Sequence, residues 1–302
     1  MDKIYDIAIV GGGPAGLTAA IYGLRNGKDV VIIEKAVFGG QIVNSPKVEN
    51  IPGFESISGD EFGDLMLNQV TKLNGEVMFD EVMSIDSEDV LTLHLDMSED
   101  IKAKTVILAT GTKHRTLGLP NEEDYIGKGI HFCAVCDGSF YADKKVVMVG
   151  GGNSAFVEAN LLADSVKELV MLQDLPIFTA EQKLQEKLNA RNNVKKYCNT
   201  KVLEYIITDN KISGIKYLEN NEEKTIDCDG VFLAVGLVPD NSRFSSLCEL
   251  DERGYFKTDE SSLTNSKNIF VAGDCRTKNL RQVATACSDG ANAAIAACKY
   301  LD

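Results

Sequence analysis

Asp6-Ile7-Ala8-Ile9-Val10-Gly11-Gly12-Gly13-Pro14-Ala15-Gly16 decides the fold: a short apolar run, a glycine-rich turn, then small residues. The run predicts a buried strand, and Ala15 to about Leu24 predicts a helix. A second strand, Val30-Val31-Ile32-Ile33, ends at Glu34. Gly11, Gly13 and Gly16 fit the pattern GxGxxG, in which glycines permit a tight turn and close backbone approach to a pyrophosphate on the helix N-terminus. A lone GxGxxG is weak. Here the strand before it, the helix after it and an acid at the offset that holds a ribose hydroxyl make it strong.

The unit occurs twice. Val146-Val147-Met148-Val149 leads into Gly150-Gly151-Gly152-Asn153-Ser154-Ala155, the GxGxxA variant; a helix to about Ala163 and a strand at Leu169 to Leu172 follow. Each copy has a later strand ending in glycine: Val106-Ile107-Leu108-Ala109-Thr110-Gly111 and Val231-Phe232-Leu233-Ala234-Val235-Gly236. Ile269-Phe270-Val271-Ala272, before Gly273-Asp274, would complete the first copy. The pattern predicts an α/β protein with two Rossmann-like domains (three-layer ββα), the second inserted into the first. The expected domains are 1–113 with 241–302, and an insert at 114–240.

The 302 residues suit two domains, and 44% hydrophobic with 25% charged residues is globular composition. A net charge of −14 argues against nucleic acid and anionic membranes as partners. No apolar run approaches the ~20 residues of a membrane helix. The N-terminus lacks a basic segment and cleavage site, so no signal peptide and a cytoplasmic protein are expected. Eight cysteines are spread thinly, with one close pair, Cys133-Ala134-Val135-Cys136. Zinc usually takes two such pairs, or a pair plus histidines, and His94, His114 and His131 supply no second ligand pair. No metal is expected, and redox use of the CxxC is the better reading. Two cysteines at this spacing can close a strained disulfide and, reduced, often have a depressed thiol pKa. Asp137 is placed to give a proton to, or accept one from, a thiol.

Together these motifs resemble the low-molecular-weight thioredoxin reductase family over nearly the whole chain. The resemblance implies FAD in the first domain, thioredoxin as partner and a homodimer. It implies that Cys136 faces the flavin, that Cys133 attacks the substrate disulfide, and that Asp137 serves them. It places FAD contacts at Gly11, Gly13, Pro14, Ala15, Gly16, Glu34 and Lys35, and at Ala109, Thr110 and Gly111. Gly39-Gly40-Gln41 and Asn50 resemble segments at the flavin ring, and Val82 an adenine-side backbone contact. Gly273-Asp274 resembles a ribityl-binding motif, and Arg281-Gln282-Val283 the helix start beside the flavin. Ferredoxin–NADP reductases of similar build lack the CxxC, and a non-enzymatic flavin binder would have no use for it.

One segment departs from the family. An NADPH site neutralises the 2′-phosphate, for which arginine is best suited. The family carries His-Arg-Arg after the second strand of the insert and another arginine four residues on. The aligned residues here are Gln173, Asp174, Leu175 and Thr179. This loss resembles the branch that takes electrons from reduced ferredoxin, so ferredoxin is the expected donor and partner, ahead of NADH or NADPH. Lys113, Arg115, Arg276, Lys278 and Arg281 are the expected basic docking residues.

Overall fold

The computed structural model describes residues 3–45, 48, 50–87 and 89–302; the side chains of Asn44, Val135 and Cys136 also lie outside the described part. The chain divides into two units, 1–113 with 238–302, and 114–237.

The first unit runs β1 (Ile4–Val10), α1 (Pro14–Arg25), β2 (Val30–Glu34), α2 (Gly59–Lys72), β3 (Glu76–Phe79), β4 (Val82–Asp86), β5 (Leu91–Leu95) and β6 (Ile101–Leu108). The chain leaves on β7 (Thr112–His114). The second unit holds α3 (Glu122–Tyr125), β8 (Ile130–His131), α4 (Ala134–Asp137), β9 (Lys145–Val149), α5 (Asn153–Leu162), β10 (Glu168–Leu172), α6 (Gln182–Asn189), β11 (Val194–Tyr197), β12 (Thr200–Thr208), β13 (Lys211–Glu219), β14 (Glu222–Asp227) and β15 (Gly230–Leu233). After β16 (Leu237–Pro239), the first unit closes with β17 (Ile269–Val271) and α7 (Val283–Leu301).

In the first unit β3, β2, β1 and β6 lie side by side in parallel. β6 is shared along its length: Val106, Ile107 and Leu108 pair in parallel with β17, while Ile101 to Ala103 pair with antiparallel β5. Alternate residues of β1 face opposite cores. Ile7 and Ile9 pack under α1, α2 and α7; Ala8 and Val10 pack against Ile85, Leu91 and Phe244. The second unit repeats the plan. β11, β10, β9, β15 and β8 form a parallel sheet, with Val146 and Met148 under α5 and α6, and Val147 and Val149 against β12–β14. Strands buried on both faces explain the unbroken apolar runs. Both units are therefore Rossmann-like, with helix, parallel sheet and antiparallel strands in three layers.

The two glycine turns match closely. A Cβ on Gly11 (φ +111°) would lie 2.3 Å from the Ala109 carbonyl oxygen; on Gly150 (φ +131°), 2.3 Å from that of Ala234. Each turn must be bare because the neighbouring strand passes against it.

Candidate functional site

At the first turn Gly13 caps α1 in extended backbone. A Cβ there would meet only Gly40, at 3.9 Å, so no protein atom requires glycine. The space before the helix is open, no acidic residue stands in the first turn, and the leading amides have no side-chain cap. Such a terminus attracts a phosphate. The Glu34 carboxylate accepts from the amides of Gly12 at 2.6 Å and Ala36 at 2.7 Å. It is thereby fixed at the end of β2. Asp274 adds a sharper sign. Its Oδ1 is buried with no hydrogen-bond partner among the described residues, and burial pushes its carboxyl above the usual range. An orphaned acceptor of this kind calls for a hydroxyl donor. These residues fit FAD: Gly13 could take its pyrophosphate, Glu34 its ribose and Asp274 its ribityl hydroxyls.

The other expected residues of this unit fall into two sets. Pro14 opens α1, and Ala15 and Gly16 are buried within it. Gly39 and Gly40 have left-handed backbone, and a Cβ on Gly40 would come within 2.9 Å of Gly13. Gln41 donates its amide to the Thr112 carbonyl, and Asn50 donates to Gln282 at 2.9 Å. Gln282 caps α7, which starts at Val283. Ala109, Thr110 and Gly111 follow β6, and Gly273 follows β17. The second set is engaged in structure. Lys35 pairs with Glu81 and Asp240, at 2.9 and 3.1 Å. The Val82 carbonyl accepts from Arg243 at 3.0 Å. Arg281 stacks over Tyr255 and donates to the carbonyls of Asp274, Arg276 and Lys278. Arg281 therefore shapes the loop that presents Asp274. Sequence reasoning misses Asn241, which accepts from the Thr110 hydroxyl at 2.8 Å and donates to the carbonyls of Gly254 and Cys275.

At the second turn Gly152 has the extended backbone of Gly13, and its Cβ would meet only Thr179 Oγ1, at 3.8 Å. Gln173 takes the place of Glu34: it is buried, and a Cβ on Gly151 would fall 2.6 Å from its Cδ. The amides of Thr179 and Ala180 both donate to the Gly151 carbonyl, folding 174–180 back onto the turn. Lys196, at the far edge, sits over the rings of Phe156 and Phe178.

The cysteine segment lies in the second unit. Cys133 is disulfide-bonded. The Cys136 backbone falls in the single turn α4, and its side chain lies outside the described part. Asp137 closes that turn. Its Oδ2 is 3.0 Å from Nδ1 of buried His131, an ion-pair distance out of hydrogen-bond alignment. His131 Nε2 shares a hydrogen bond with the Tyr141 hydroxyl at 2.8 Å. Burial, with the charge of Asp137, pushes the Tyr141 phenol up to about 12. Glu158 of α5 accepts from the Ala134 amide at 2.8 Å. Burial raises its carboxyl to about 7, Asp137 adding to the effect and the Ala134 amide opposing it. Sequence reasoning misses His131, Tyr141 and Glu158. The available signal for Glu158 was an acid on a helix whose neighbours Ala155, Phe156, Ala159 and Leu162 are all core residues.

Residues 5–290 match the Pyridine nucleotide-disulphide oxidoreductase family. A thioredoxin reductase of Listeria innocua is 40% identical over 304 residues, covering 100% of this chain and 95% of its own length. The crystal structure of Lactococcus lactis thioredoxin reductase has 34% identity and a TM-score of 0.90, covering 98% of this chain and 99% of that one. That of T. acidophilum thioredoxin reductase has 36% identity and a TM-score of 0.87, with 99% of each chain covered.

These matches overturn one expectation. Ferredoxin as donor and partner, and the ferredoxin-dependent branch, are not supported: the match to a pyridine nucleotide family spans residues 5–290, and similar relatives are named thioredoxin reductases. Two structural observations explain the error. The second glycine turn keeps the geometry of the first, so the loss of arginine at 173–179 changes a rim and leaves the turn intact. Four of the five expected docking cations are also engaged within the first unit, Arg281 among them, while Arg115 is exposed. Arg276 is 2% exposed against Asp289, Lys278 is bound to the same carboxylate at 2.8 Å, and Lys113 pairs with Asp240 at 2.6 Å.

Proposed function

This chain belongs to the pyridine nucleotide-disulphide oxidoreductase family, among the low-molecular-weight thioredoxin reductases, and on that premise we propose that it is an FAD-dependent thioredoxin-disulfide reductase supplied by a nicotinamide dinucleotide. The observation that carries the reading is the bonded Cys133 in a unit with an intact dinucleotide turn, in a chain whose other unit fits FAD. When bound, FAD supplies the two-electron link between a nicotinamide and a disulfide. Gly13 and the α1 amides would hold its pyrophosphate, Glu34 its ribose and Asp274 its ribityl chain. In the reduced protein the Cys133 thiolate attacks the thioredoxin disulfide, forming a mixed disulfide and releasing one thioredoxin thiolate. Cys136 then attacks Cys133 sulfur; the mixed disulfide breaks, the second thioredoxin thiolate leaves and the Cys133–Cys136 bond is restored. Asp137 holds the proton exchanged with these thiols.

The residues at 173–179 favour NADH over NADPH. A 2′-phosphate would find Gln173, Asp174, Leu175 and Thr179 in place of arginine, and Asp174 would repel it. Each missing charge-assisted hydrogen bond would weaken binding of a 2′-phosphate by roughly 1.5–3 kcal/mol. The test is anaerobic turnover of oxidised thioredoxin by the flavin-loaded protein with each nucleotide in turn. Thioredoxin reduction with either supports the reductase, and a lower KM for NADH supports the preference. Failure with both nucleotides overturns the donor class.

A further inference from the structure

Glu158 has no part in the roles given to Cys133 and Asp137, yet it is hydrogen-bonded to the peptide that follows the redox cysteine. Its carboxylate accepts from the Ala134 amide at 2.8 Å, and that nitrogen belongs to the Cys133–Ala134 peptide. It leaves a helix whose flanking residues, Ala155, Phe156, Ala159 and Leu162, are packed in the core. The charge acting on it is that of Asp137, on α4. The other elements packed on α5 carry Lys183, Glu186 and Lys187 on α6, and Lys145 and Glu168 at the starts of β9 and β10.

Resting on the reductase reading, we propose that Glu158 is a positioning residue whose charge state sets how much thiolate Cys133 carries once the disulfide is reduced. An uncharged carboxyl tolerates a neighbouring thiolate; a carboxylate opposes it by like-charge repulsion. Burial keeps the Glu158 carboxyl high enough to change state near neutrality. Below that point the thiolate forms unopposed, and above it ionisation of Cys133 is delayed. The step is a proton release only: one S–H bond breaks, the proton passes by way of Asp137 to solvent, and no electrons move.

The experiment is alkylation of the pre-reduced holoenzyme by iodoacetamide from pH 5.5 to 9, with Cys133 modification read by mass spectrometry. The wild type should show a two-step profile with an inflection near neutrality. Glu158→Gln keeps an acceptor for the Ala134 amide and removes the charge. It should give a single-step profile moved to lower pH, with about three- to tenfold faster modification at pH 8. Glu158→Ala should move the profile the same way with a lower Tm. Superposable wild-type and Glu158→Gln profiles would overturn the proposal, as would a shift confined to Glu158→Ala. The assay uses neither thioredoxin nor a nucleotide. Failure of the reductase reading therefore shows in turnover alone, and failure of this one in the alkylation profile alone.

Discussion

Gly11 and Gly13 are glycines for different reasons, and the difference is testable. Gly11 has left-handed backbone and a carbonyl 2.3 Å from where its Cβ would be, so replacing it breaks the fold. Gly13 has φ −76°, which any residue adopts, and open space ahead. Gly13→Val should therefore yield folded protein without flavin, its branched side chain standing where the pyrophosphate approaches. Visible absorbance and far-ultraviolet dichroism of the purified variant check this, and full FAD occupancy would refute the placement. Cys133→Ser should keep the flavin and lose thioredoxin reduction; a wild-type rate would remove Cys133 from the mechanism. Residues of this kind were legible because the turn fixes both type and spacing. Asn241 was not, because the groups it joins are Thr110 and the carbonyls of Gly254 and Cys275, brought together only by the fold.

At the scale of elements, α7 does more than cover the sheet. Asp289 lies 2% exposed among the buried residues Ala286, Gly290, Ala293, Ala294, Ala297 and Cys298 of the helix. It accepts from Arg276 at 2.7 and 2.9 Å, from Lys278 at 2.8 Å and from the Gly273 amide at 3.1 Å. One carboxylate thus pins to the helix the loop that presents Asp274. Asp289→Asn would leave two buried cations undercompensated, and breaking such a pair costs about 3–5 kcal/mol. Burial pushes the Asp289 carboxyl up, but the hydrogen bonds from Arg276 and Lys278 outweigh it and leave it depressed. Its stabilising contribution is therefore complete above the unfolded-state value and lost as pH falls through the folded one. Denaturation midpoints at pH 7 and at about pH 2 check both claims: the variant should be less stable at pH 7, with the gap narrowing only in strong acid, below the ordinary aspartate range. Equal midpoints at pH 7 would show that the network contributes nothing. In the sequence Arg276 and Lys278 read as surface cations, because nothing local reveals an acid on a helix across from them. The hairpins of β12–β14 had a clearer sign. Asp209-Asn210 and Asn220-Asn221 are all in left-handed backbone, as two-residue hairpin turns require, and both pairs stand in plain sequence.

For the whole molecule, the duplication was legible because two glycine turns at equivalent places in equivalent strands leave few alternatives. The nature of the electron donor was not, because a four-residue rim says which group is rejected and not which molecule arrives. Each unit has its own pair of apolar cores, so each should respond to its own ligand. A ligand that binds only the folded state adds about 2.7 kcal/mol at a hundredfold excess over its Kd. FAD should thus slow amide exchange in β1, β6 and α7 of the first unit. NADH, added to flavin-loaded protein kept oxidised and without thioredoxin, should slow it in β9, β10 and α5 of the second. Hydrogen exchange with peptide-level mass spectrometry separates the two, since no peptide from 114–237 belongs to the first unit. Among peptides of the second unit, protection should centre on Gly150–Ala155 and on Gln173–Thr179, where the amides at the helix start and the folded-back segment meet. Protection by FAD alone, with NADH and NADPH both silent at millimolar concentration, would mean that the second turn is kept for packing between helix and strand and not for a nucleotide.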